Sequence, residues 1–174
     1  IKSIRIEGSG EVVQYLKSML VFAIVGALHD SLGDSLNYVN AKFLADEKGI
    51  ETSFGELANS VYKSEIAVKI MTDEAISNVA GTVFDGSEER IVNIGGFKTD
   101  FKPKGKMIIF KNTDVPGVIK SVSTILADEN INIADFRLGR GEEGDALAVI
   151  LVDSEVQKST LDKLAAPPHR PHGA

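Results

Sequence analysis

The stretch Met107-Ile108-Ile109-Phe110-Lys111-Asn112-Thr113-Asp114-Val115-Pro116-Gly117 decides how this chain is read. Its first five residues are an apolar run suited to a central strand. The remainder is a turn leading into a helix, where proline is tolerated in the first turn because that N–H has no helical partner. Val118, Ile119, Val122, Ile125 and Leu126 then recur at three- and four-residue spacing, which gives one apolar face over about three turns. Asp128-Glu129-Asn130 ends the helix. Residues 131–138 and 146–152 read as strands joined by a hairpin at 139–145, and residues 154–165 read as a second helix. The order strand, helix, strand, strand, helix is most of a β-α-β-β-α-β unit.

Upstream of this unit the pattern changes. Ile4 and Ile6 share one side of an extended segment, and residues 11–29 carry a broad apolar helical surface. A second helix is expected over 35–45, stopped by Asp46-Glu47-Lys48-Gly49. Residues 50–54, 61–71, 75–84, 88–94 and 97–101 read as extended, the last three as two hairpins in succession. They predict a small sheet with two helices on one face. Pro103-Lys104-Gly105-Lys106 is short, polar and contains both chain breakers. The expected organisation is therefore a first domain at 1–102, a linker at 103–106, a second domain at 107–166 and a tail at 167–174. Pro167, Pro168 and Pro171 exclude a strand in that tail, so the second domain is expected to lack or truncate its last strand. The fold class is α+β.

Composition narrows the function. With 19 Lys+Arg against 25 Asp+Glu, and no basic stripe, there is no electrostatic reason to bind nucleic acid. The absence of cysteine excludes disulfides and thiolate-held metals or clusters within the chain. The longest unbroken apolar run, 19–28, is about half of the roughly twenty residues that a membrane span needs, so no membrane association is expected. The chain opens on Ile1 without a charged leader, and a cytoplasmic fragment is the working expectation.

No catalytic or metal constellation is readable. His169 and His172 lie in the proline-rich tail, and His29 sits near a helix end, where it favours the helix dipole. Gly8-Ser9-Gly10 follows a strand and precedes a helix but lacks the third glycine of a dinucleotide fingerprint. More chemistry is available at the Pro-Gly turn. Asp114 can hold an ammonium while the amides around Val115, Pro116 and Gly117, at the positive end of a helix, receive a carboxylate. Asn112 and Asn132 carry amides able to complete such a site. The same residues are also explained without a ligand, with Asp114 capping the helix and Asn132 satisfying a turn.

The segments 112–119 (Asn-Thr-Asp-Val-Pro-Gly-Val-Ile) and 126–134 (Leu-Ala-Asp-Glu-Asn-Ile-Asn-Ile-Ala) resemble an ACT domain, a ferredoxin-like βαββαβ module that binds amino acids where two copies meet. Asn37-Tyr38-Val39-Asn40-Ala41, Gly49-Ile50-Glu51, Gly81-Thr82-Val83-Phe84 and residues 90–97 resemble the intervening, or allosteric-substrate-binding, domain of bacterial D-3-phosphoglycerate dehydrogenase. The resemblance implies the regulatory part of an NAD-dependent oxidoreductase that converts 3-phosphoglycerate to phosphohydroxypyruvate in L-serine biosynthesis. NAD and the catalytic residues would belong to domains not in this chain. L-serine, or another small amino acid, is the implied ligand, at Asn112, Asp114 and Asn132 with the turn Val115-Pro116-Gly117. For the first domain the resemblance implies an anion site for phosphate or phosphoglycerate. The matching basic positions are Arg90 and Lys102, which also read as two solvated surface cations. A homo-oligomer through the ACT sheet edge, by way of 107–111 and 131–138, is implied as well. The regulatory part of an iron–sulfur L-serine dehydratase combines similar domains and is the competing family, and a stand-alone interaction module is a third reading.

Overall fold

The computed structural model describes residues 1–165, which form two compact units, Ile1–Pro103 and a second beginning at Lys104. Both mix helices with sheets, an α+β fold. In the first unit β1 (Ser3–Ser9) runs through a 3-10 turn (Gly10–Tyr15) into α1 (Leu16–Leu32), followed by α2 (Ala41–Glu47) and β2 (Glu51–Glu56). Then come β3 (Glu65–Met71), β4 (Ile76–Phe84), β5 (Glu88–Ile94) and β6 (Phe97–Phe101). The sheet order is β2-β1-β3-β4-β5-β6. Only β1 and β2 pair in parallel, and a parallel pair needs a long crossover, which α1 and α2 supply.

Leu16, Leu20, Ile24 and Leu28 recur every fourth residue and form one buried ridge on α1. It packs with Ile4, Ile6, Ala41, Ala45 and Ile50 in the core of the unit. The segment Gly10–Ser35 spans 26 residues and has a mean hydropathy of 1.5 over its most apolar stretch, so by length and composition it is apolar enough to cross a membrane. That corrects the expectation drawn from the unbroken run, because isolated polar residues shorten a run without much lowering the average. One ridge of this helix is buried against β1, α2 and Ile50 within the unit. At the entry to α1, Gly10 has φ +69, and a Cβ there would lie 1.9 Å from the Lys63 carbonyl oxygen, so no other residue fits this turn.

The second helix begins later than its apolar pattern predicts, at Ala41 rather than near residue 35. Asn37 Oδ1 accepts from the amides of Val39 and Asn40, and Asn40 Oδ1 accepts from the Asn37 amide. These bonds give the backbone a turn in place of a helix.

In the second unit β7 (Lys106–Thr113), α3 (Val118–Asp128), β8 (Ile133–Arg140), β9 (Asp145–Val152) and α4 (Lys158–Ala165) follow in that order. Among the described residues the sheet is three-stranded, β7-β9-β8, with antiparallel pairing throughout. Ile108, Val122, Leu126, Ile131, Ile150 and Val152 form its core. Two boundaries differ from the sequence reading because pairing with β9 continues past the apolar positions. β7 includes Asn112 and Thr113, and β8 extends through Arg140. The helix at the end of the unit starts at Lys158 rather than 154. The expectations of a missing last strand and a strandless tail fall on residues outside those described.

On the sheet face opposite α1, Glu7 is 9% exposed and is bound by Lys69 at 2.6 Å and Arg5 at 2.8 Å. The hydrogen bond from Lys69, and after it that from Arg5, hold the Glu7 carboxyl below the ordinary glutamate range. Its folded pKa is thus depressed. The stabilisation is present above the unfolded pKa and is lost as pH falls through the folded one. Glu7→Gln is expected to cost about 1–3 kcal/mol at neutral pH, the range for a charge-assisted bond. It should also flatten the acid limb of a plot of urea midpoint against pH, whereas an unaltered acid slope would show that the Glu7 cluster contributes no net stability.

Candidate functional site

At the end of β7 the Asn112 side chain donates Nδ2–H to the Thr113 carbonyl at 2.8 Å, while its Oδ1 is buried with no hydrogen-bond partner. The Asp114 amide then donates to the Gly144 carbonyl at 2.9 Å, tying the turn to the β8–β9 loop. Gly117 has φ +98, a left-handed conformation natural to glycine, and α3 starts only at Val118. Pro116 therefore stands ahead of the helix rather than in its first turn, because a residue at positive φ cannot continue a right-handed helix. No side chain caps α3, which leaves the amides of its first turn facing outward with the positive end of the helix dipole.

These groups line a cavity of about 290 Å³. Phe110, Val122, Phe136 and Ala148 are among its apolar walls, and Asn112, Asp114 and Arg140 are its polar side chains. Asp114 Oδ2 lies 2.8 Å from Arg140 Nε, so the carboxylate forms an ion pair instead of capping the helix. Val115, Pro116 and Gly117 line the same cavity.

Asn132 does not join them within one chain. It donates Nδ2–H to Asp153 Oδ2 at 2.6 Å, just before β8, where Ile133 pairs with Val152. Asn112 and Arg140 instead both pair with Ala146, six residues along β9 and roughly 20 Å away at strand rise. The sequence reading places Arg140 in the 139–145 hairpin loop, whereas it ends β8. The signal for it was the period of two: Phe136, Leu138 and Arg140 share one face once the strand continues two residues further.

In the first unit Arg90 and Lys102 come together around a carboxylate. Lys102 lies 2.5 Å from Glu88 Oε2, and Arg90 lies 3.7 Å from the same oxygen and 3.5 Å from Asp100. The bond from Lys102 holds the Glu88 carboxyl below its usual range. Close packing of the chain accounts for Gly8 and Gly10. A Cβ on Gly8 would meet Leu16 at 2.8 Å, and Gly10 abuts Lys63. Among the described residues no three His, Cys, Asp or Glu side chains gather as a metal site.

Comparison with known proteins bears on both units. Residues 1–95 match the family described as the D-3-phosphoglycerate dehydrogenase intervening domain. The chain belongs to that family. Residues 106–166 match the ACT domain, and the two together correspond to the regulatory half of such dehydrogenases. The chain is 32% identical over 173 residues to the D-3-phosphoglycerate dehydrogenase of Bacillus subtilis, covering 97% of this chain and 33% of that protein. It is 31% identical over 169 residues to the Archaeoglobus fulgidus D-3-phosphoglycerate dehydrogenase, 94% of this chain and 32% of the relative. D-3-phosphoglycerate dehydrogenase 2, chloroplastic, of Arabidopsis thaliana is 30% identical over 165 residues, 86% of this chain and 26% of the relative. The chain therefore spans a third or less of the length of these proteins.

The intervening-domain cation pair yields a test. Because Glu88 occupies both Arg90 and Lys102, Glu88→Gln should raise the affinity for inorganic phosphate several-fold. Phosphate titration followed by calorimetry or phosphorus NMR measures it, and equal affinities for the two proteins would remove these cations from consideration as an anion site.

Proposed function

We propose that this chain is the ligand-sensing part of an NAD-dependent dehydrogenase acting on 3-phosphoglycerate, and that its ACT unit binds L-serine. The observation that carries this reading is the convergence on one cavity of a buried acceptor, Asn112 Oδ1, a carboxylate, Asp114, and the uncapped amides of α3. A free amino acid offers the complementary set: an ammonium for the carboxylate, a carboxylate for the amides, and, in serine, a hydroxyl for Asn112. The family match favours the dehydrogenase over an iron–sulfur serine dehydratase.

The chemistry of turnover, including the use of NAD, lies in this reading outside the chain. What the chain supplies is a difference in affinity between two arrangements of the enzyme, through which serine shifts their populations. β8 is an edge strand among the described residues and is suited to antiparallel pairing with the β8 of a second copy. Such pairing carries the far end of one β8, with Asn132, toward the Arg140 end of the other. In this arrangement Asn132 reaches the cavity only from a partner subunit.

Calorimetric titration of the chain with L-serine is expected to show saturable binding at or below millimolar concentration. Asp114→Ala should weaken it by about tenfold or more, the effect of removing one charge-assisted partner. Absence of binding by wild type at millimolar L-serine would end the serine reading, and undiminished binding by Asp114→Ala would move the site elsewhere.

A further inference from the structure

We propose that Arg140 is the carboxylate anchor of the ACT-unit site, so that one chain carries both halves of a zwitterion receptor. The proposal rests on the amino-acid reading of the cavity given above. Arg140 is the last residue of β8 and lines that cavity together with Phe136 and Leu138, two and four residues earlier on the same face. It and Asn112 flank Ala146 from opposite neighbouring strands, so the register of β9 holds the two polar side chains at one level of the sheet.

Charge is divided in a way that suits an amino acid. Asn112 Oδ1 and the Asp114 carboxylate are acceptors, the first for the serine hydroxyl and the second for the ammonium. On the donor side stand Arg140 and the first-turn amides of α3, which receive a carboxylate. The Asp114–Arg140 ion pair is closest at Nε of the guanidinium, 2.8 Å from Oδ2. A guanidinium approached at Nε keeps at its far edge a pair of parallel N–H donors, the arrangement that binds a carboxylate through two bonds. Lysine offers no such plane.

The test compares L-serine with ethanolamine, which is serine without its carboxylate, by titration of the full 174-residue chain. Arg140→Ala is expected to weaken L-serine by about ten- to a hundredfold, the range for a charge-assisted bond, and ethanolamine by less than about threefold. Arg140→Lys should recover part of the loss, since it restores charge without the fork. A structural role for Arg140 would weaken both ligands alike. Equal losses, or no loss for serine, overturn the proposal while leaving the amino-acid reading in place. Failure of wild type to bind L-serine or any other L-amino acid overturns that reading and this one with it.

Discussion

The register of three strands governs the second unit. Because side chains alternate between the faces of a sheet, a shift of one residue in β7 or β8 against β9 would turn Asn112 or Arg140 away from α3. The pairing is held by β9, whose Ala148, Ile150 and Val152 alternate toward the helices and are buried. Pairing along the whole of β9 thus sets the orientation of polar groups that contribute little to stability themselves. An ion pair as exposed as Asp114–Arg140 contributes on the order of 0–1 kcal/mol, so its geometry follows from the fold more than it creates it.

The same dependence explains why α3 is left without a cap. Its first turn follows a glycine at φ +98, and the Asp114 carboxylate is drawn to the guanidinium that β8 delivers. The amides at the positive end of the helix are therefore left without a side-chain cap, and Gly117, Val118 and Ile119 line the cavity. Stability and recognition are separated here: Leu126, fully buried, anchors the helix through its apolar face, while its first turn stays open to a ligand.

Two carboxylates with lowered pKa values show how burial divides structural from exposed charge. Glu7 is nearly enclosed on a sheet surface between two cations, and removing its charge would strand them beside one another on adjacent strands. Glu88 meets Lys102 and Arg90 on an accessible hairpin, where water competes with each bond. Similar partners thus make a stabilising cluster in one place and an exchangeable one in the other.

The residues alone determined that there would be an α+β chain with a helix after residue 117, two hairpins before residue 102 and a Pro-Gly turn carrying Asp114, because periodicity and backbone-restricting residues act locally. They also led to the intervening-domain and ACT families. The run-length rule underestimated α1, since hydropathy is an average over a surface. α2 starts later than its apolar pattern predicts because Asn37 and Asn40 hydrogen-bond the backbone that propensity would coil. Only the tertiary structure decided which polar groups meet. Strand pairing joins residues distant in sequence, so it placed Arg140 beside Asp114, sent Asn132 to the opposite end of the sheet, and set Glu88 between Arg90 and Lys102.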